Sequence, residues 1–257
     1  MRRILSPATI LLTLVCLTHS ASTARAEIVL EARQWSPSLS GEIRIDGSNL
    51  IDTIDLTEDL ALQDDDAFGG RLLIRPSRRT LIRLGWVPLT LSGERVVTRT
   101  INFLGRDFNI SSLVQSNLDL EYGRLGFAWQ VLSADDGKYR IGPLIEAKGF
   151  RGEATLSAPD LPVPASETAD FETAFASAGL IMDLEPSERF HVFAEGTILI
   201  DDSQGDLVDV EAGVRFFPTK LLAIVAGYRR LEIDAEDGTD LLVMNLEGVF
   251  FGASLHF

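Results

Sequence analysis

Cysteine is all but absent from this chain. The one cysteine in 257 residues is Cys16, within a leader-like start, so the remainder has no disulfide framework, thiolate metal site or cysteine nucleophile. Histidine is nearly as scarce: of three, only His191 and His256 lie beyond the leader. No apolar run after residue 26 reaches the roughly 20 residues of a membrane-spanning helix. Positive charge is also short, with 23 Lys and Arg against 38 Asp and Glu and a net charge of −15. Such a balance excludes nucleic acid as a partner.

The start of the chain has the layout of an export signal. Met1-Arg2-Arg3 is basic, Ile4 to Leu17 is apolar, and Ala24-Arg25-Ala26 places small residues where a signal peptidase reads. Val15 stands before Cys16, where a lipobox wants a small residue, so no lipoprotein is expected. The reading is a cleaved signal peptide, 1–26, followed by one domain, 27–257. Removing Arg2, Arg3 and Arg25 with no acid takes the net charge from −15 to −18.

The rest is strand after strand. In steps of two from the end, Phe257, Leu255, Ala253, Phe251 and Val249 form an apolar face, with His256, Ser254, Gly252, Phe250 and Gly248 between them. Val208 to Phe216 alternates as cleanly, and Ile82, Leu84 and Trp86 form the outward set of another strand. The strand that holds Ile82 is read over 80–103, and further strands are read over 28–45, interrupted at Ser36-Pro37, and over 67–75, 106–132, 139–151, 171–184, 189–200 and 221–233. In 106–132 the apolar parity changes between Tyr122 and Leu125, which predicts a β-bulge at Gly123-Arg124. The total is ten strands, with eight or twelve the alternatives, because boundaries read from sequence err by about 2–4 residues.

Connections after odd strands are generally longer and acidic, notably 46–66 and the proline-bearing 152–170, whereas those after even strands are short. An even strand number with both termini beside the short turns is the arrangement of a transmembrane, antiparallel, up-and-down β-barrel. It places both termini in the periplasm. A soluble periplasmic β-barrel remains the competing architecture, since such barrels also alternate.

On these residues the chain resembles small Gram-negative outer-membrane β-barrel proteins, porin-like or OmpA–OmpW-like. Gly252, Leu255 and Phe257 resemble their C-terminal assembly signal, with Phe250 standing where the pattern has a polar residue. Ile54 to Leu62 and Leu81 to Leu89 resemble segments of uncharacterised members. The resemblance implies outer-membrane lipid, lipopolysaccharide and the barrel-assembly machinery as partners, and it implies no activity.

Twelve charges are expected to line the lumen: Arg71, Arg75, Arg83, Asp119, Glu121, Arg140, Glu146, Lys148, Glu195, Asp209, Glu211 and Arg215. Paired, they form a plug; unpaired, they are too costly to bury. Catalysis is not expected. Ser254 and His256 have the two-residue spacing of a strand-borne dyad, but no third member is evident in the sequence. Acidic Asp201-Asp202 and His191 lie roughly 20–25 Å apart along a strand, too far for the acid–histidine arrangement of barrel proteases. No cofactor or metal is expected, although the acidic loops, including 64–66 and 201–206, offer oxygens to divalent cations. The expected role is structural or surface-interacting; the alternatives are a narrow solute channel and a lipid-modifying barrel enzyme.

Overall fold

The computed structural model describes residues 26–44, 53–77, 79–98, 100–103, 106–108, 111–134, 138–161, 164–200, 205–237 and 240–257. The leader apart from Ala26, residues 46–52 and Asp201-Asp202 lie outside them. Ten long strands carry the fold: β1 (Glu27–Arg44), β2 (Ala67–Ser77), β3 (Thr80–Val96), β4 (Leu113–Trp129), β5 (Tyr139–Ala158), β6 (Ala165–Ser187), β7 (Phe190–Leu199), β8 (Gly205–Phe216), β9 (Leu222–Asp237) and β10 (Asp240–His256). Each pairs antiparallel with its chain neighbours, and β1 pairs with β10 from Val29↔His256 to Arg44↔Leu241, which closes the barrel. Both termini lie at one end, where Phe257 N–H donates to Ile28 O at 2.9 Å. This is the terminal end; the other is the distal end.

The wall follows two rules. Near the terminal end, outward positions are apolar and exposed, such as Leu125, Phe127, Ile145 and Phe251, while inward positions are charged, such as Arg83, Glu146 and Glu211. Aromatic residues stand at both edges of the outward apolar girdle, with Trp129, Tyr139, Phe190 and Phe257 beside the short turns and Phe68, Trp86 and Tyr228 farther along. That is the signature of a lipid-facing band. Toward the distal end the polarity inverts. Thr90, Asp119, Glu121, Glu153 and Glu172 face outward and are exposed, whereas Leu89, Leu91, Leu118, Leu120 and Leu156 face inward and are buried.

This inversion corrects the expected bulge. Strand β4 runs through Gly123-Arg124 in unbroken register with β3 and with β5. Tyr122 and Leu125 differ in parity because one faces an apolar interior above the membrane and the other faces lipid. Register shifts occur instead between Ile74 and Ser77 and between Leu184 and Ser187. Both spans contain a proline, Pro76 or Pro186, which cannot donate to a ladder.

Two expected interruptions are also absent. Residues 152–170 are not a loop: β5 and β6 stay paired to Ala158↔Ala165 as a long ribbon. Likewise β1 runs through Ser36-Pro37, at a point where β2 has already ended, at Ala67↔Trp35. A proline is tolerated where one strand edge has no partner. The expected strands over 80–103 and 106–132 end earlier at their distal tips, and a short ribbon, 101–103 with 106–108, caps that hairpin.

Residues 53–66 stand in for the missing upper half of β2. Ile54-Asp55 pairs with β1 at Ile43 and Glu42, and Gln63 N–H donates to Ser92 O on β3 at 3.1 Å. Leu56, Leu60 and Leu62 enter the distal core. The acids of this segment are hydrogen-bond acceptors: Asp64 Oδ1 takes Leu39 N–H at 2.8 Å, and Asp66 takes the Ser36 hydroxyl and the Gln34 amide. Asp55 Oδ1 accepts from Thr57 N, Thr57 Oγ1 and Glu58 N at 2.8, 2.9 and 2.6 Å.

Partial burial pushes the Asp55 carboxyl up, but these three bonds outweigh it and hold it below its usual value of 3.8. A depressed carboxyl stabilises the turn fully above that usual value, and the contribution is lost as pH falls through the lowered one. The amide proton shifts of Thr57 and Glu58 should therefore titrate together with a midpoint below 3.8. A midpoint at or above it would show that the carboxylate does not hold the turn.

Candidate functional site

The interior of the membrane zone is built from strands that alternate strictly, so each inward charge is fixed by its register. Seven cations, Arg33, Arg71, Arg83, Arg124, Lys148, Arg215 and Arg229, meet five carboxylates, Glu31, Glu146, Glu195, Asp209 and Glu211. Glu211 sits among Arg33, Arg71 and Arg124. Glu195 bridges Arg83 and Arg124, the latter at 3.0 Å, and Asp209 accepts from Lys148 Nζ at 2.9 Å and Arg229 Nε at 3.0 Å. Tyr122 donates its hydroxyl to Asp209 at 2.8 Å.

Aromatic faces carry part of the positive charge. The Arg33 guanidinium lies 4.2 Å from the Phe250 centroid, Arg215 lies 4.1 Å from Phe193, and Arg229 lies between Trp35 and Tyr122 at 4.9 and 4.8 Å. Phe250, which departs from the assembly pattern, is thus an inward residue, 1% exposed. Glycine makes room for the long side chains: Gly85 and Gly126 are register partners of Arg124 and Arg83. A Cβ at Gly126 would stand 2.8 Å from Arg83 Cγ, and one at Gly85 would stand 3.0 Å from Arg124 Cγ.

Beneath the belt lies an apolar floor of Val29, Leu73, Leu81, Ala128, Leu144 and Ile181. Below the floor, Arg75 reaches Asp183 at 2.8 Å, Gln130 donates to the same carboxylate at 2.8 Å, and Arg140 pairs with Glu185. Above the belt, the distal core fills the barrel with Trp35, Leu89, Phe103, Phe108, Phe150, Met244 and their neighbours.

Arg71, Arg83, Glu146, Glu195, Glu211 and Arg215 all face inward within the belt, while Arg75 and Arg140 lie below it. Asp119 and Glu121 do not line the lumen. They are exposed on the outer wall, because by that height the wall faces water. Glu31, Arg33, Arg124, Asp183 and Arg229 belong to the interior and were missed. Strict alternation from Ile28 or Phe127 would have found the first three.

The sequence offered no third member for Ser254 and His256; the barrel closure supplies one. Ser254 Oγ lies 3.0 Å from His256 Nε2, and His256 Nδ1 lies 3.1 Å from Glu27 Oε1 at the start of β1. Ser254 is buried in the seam, 1% exposed. His191 faces inward at the terminal end with its ring 4.4 Å from that of Phe217, and Asp201-Asp202, expected from the sequence to lie too far from it, fall outside the described residues. Of the assembly residues, Leu255 and Phe257 are exposed on the outer wall, and Gly252 faces inward against β1. Among the described residues, no group of three or more His, Cys, Asp or Glu is placed to hold a metal ion.

No protein-family model matches the chain, and no curated protein matches it in sequence. Among solved structures, the outer membrane protease OmpT from Escherichia coli aligns with a TM-score of 0.52 at 9% identity, over 94% of this chain and 99% of that one. The fold is that of an outer-membrane β-barrel. The outer membrane protein OprG from Pseudomonas aeruginosa aligns with a TM-score of 0.44 at 11% identity, over 91% of this chain and 96% of that one. The attachment invasion locus protein Ail of Yersinia pestis aligns with a TM-score of 0.37 at 12% identity, over 91% and 99%.

A buried ion pair contributes little net stability, but removing one partner strands the other at a cost of about 3–5 kcal/mol. Glu211→Ala, which removes a carboxylate shared by three guanidiniums, should lower unfolding stability in detergent by about that amount. Glu232→Ala on the exposed outer wall should leave it near wild type. Equal behaviour of the two variants would show that the belt is solvated.

Proposed function

We propose that the protein is a closed-lumen barrel of the bacterial outer membrane, with both termini in the periplasm and a structural or surface-interaction role carried by its distal head. The observation that supports this is the filled interior: an ion-paired belt across the membrane zone with a packed apolar core above it. On this reading Gly252, Leu255 and Phe257 present β10 to the barrel-assembly machinery. Lipopolysaccharide surrounds the distal wall, where Asp119, Glu153 and Asp170 stand side by side in register. Divalent cations act there as a diffuse layer shared with lipid phosphates.

Purified protein in a planar bilayer should show no steady single-channel conductance. Reproducible conductance that is lost when bulky residues are placed in the belt would overturn the closed lumen in favour of a solute channel.

The hydrogen-bonded Ser254–His256–Glu27 chain favours a second reading, acyl hydrolysis at the terminal end, with Ser254 as nucleophile, His256 as base and Glu27 orienting the imidazole. The burial of Ser254 weighs against it, and the chain is better read as a clasp between the first and last strands. Phospholipid and lipid A should therefore not be turned over. Turnover that vanishes in Ser254→Ala, with the heat-modifiable gel shift intact, would establish the enzyme.

A further inference from the structure

We propose that the charged belt holds one small monovalent inorganic anion, of the size of chloride, in a cavity among Arg33, Arg71 and Arg124. The cavity offers about 20 Å³ of water-sized space, room for about one water or one ion of that size. Arg33, Arg71, Arg124 and Arg229 line it, and Glu211 is the one acid among its lining residues.

Charge balance points to the same place. The belt's seven cations exceed its five carboxylates by two. Even with Arg215 assigned to Asp183 in the layer below, at 3.8 Å, one positive charge remains in excess. A buried charge without a counter-charge is among the most costly features a folded chain can hold.

The hydrogen-bond inventory agrees. Neither Arg33 Nη2 nor Arg124 Nη2 makes a hydrogen bond to a protein atom, Arg124 Nη2 standing 3.6 Å from Glu211 Oε2, although the two residues are only 8% and 6% exposed. Both are obligate donors that cannot shed their protons. An anion between them would satisfy both donors and cancel one excess charge, whereas a water would satisfy the donors and leave the charge. The volume excludes phosphate, sulfate and carboxylates, and the surrounding guanidiniums exclude cations.

The test uses the full barrel in detergent micelles. Chloride-35 resonance linewidths are measured against rising chloride, with potassium gluconate holding ionic strength constant. Saturable excess broadening, reversed by bromide and weakened about tenfold or more in Arg71→Gln, is the expected result. Broadening that is linear in chloride and equal in both proteins, an adventitious ion only, would overturn the site. If Arg71→Gln does not fold, crystals of the wild-type protein grown in bromide decide the matter. An anomalous peak within hydrogen-bond reach of Arg33 and Arg124 supports the anion; a water there overturns it.

Discussion

The structure depends on keeping charges inside a tube whose outer wall is in hydrocarbon. Lipid offers no water to a stray guanidinium, so inward charges of the membrane zone must find counter-charges within the lumen. The belt meets this demand by sharing. Glu211 serves three arginines, Asp209 serves a lysine and an arginine, and aromatic faces take part of what remains. Because partners come from different strands, pairing is possible only in one register. Arg33 on β1 meets Glu211 on β8, and Arg83 on β3 meets Glu195 on β7. A slip of one residue would turn each strand inside out. The network therefore specifies the barrel even where its net contribution to stability is small.

The second constraint is that the solvent outside changes along each strand. A residue pointing outward must be apolar near the terminal end and polar near the distal end, with the interior changing in the opposite sense. Ile145 and Glu153 lie on one face of β5, Lys148 and Leu156 on the other. No single hydrophobic face exists from end to end. The backbone keeps strict alternation, and only the meaning of each face changes at the membrane boundary. This also explains how a tube can be ion-paired in its middle and greasy in its head without bulges between the two zones.

That boundary separates what the sequence made legible from what it did not. Ten strands were readable from their alternation, which runs unbroken through both zones, and the outward set Ile82, Leu84 and Trp86 was readable because it lies within one of them. The change after Tyr122 looked like a bulge, and Asp119 and Glu121 looked like lumen charges, because a period-2 pattern carries no marker of depth. Residues 152–170 looked like a loop because of Pro159, Pro162 and Pro164, which all fall between the last paired residues, Ala158 and Ala165. Glu27 could not be linked to Ser254 and His256 from sequence, since more than two hundred residues separate them and only barrel closure makes them neighbours.

Acidity has the same double meaning. The acids of the segment before β2 read as a solvated, cation-attracting run because none has a basic neighbour in sequence. In the fold, Asp64 and Asp66 instead take up polar groups of β1 beyond the end of the shortened β2, and Asp55 closes the turn of its own segment. A strand that stops early exposes the edges of two neighbours, and such an edge must be paired or covered. Short carboxylates do this compactly, accepting from backbone amides and hydroxyls while Leu56, Leu60 and Leu62 enter the core beneath. The negative charge of this segment is spent on closing the wall.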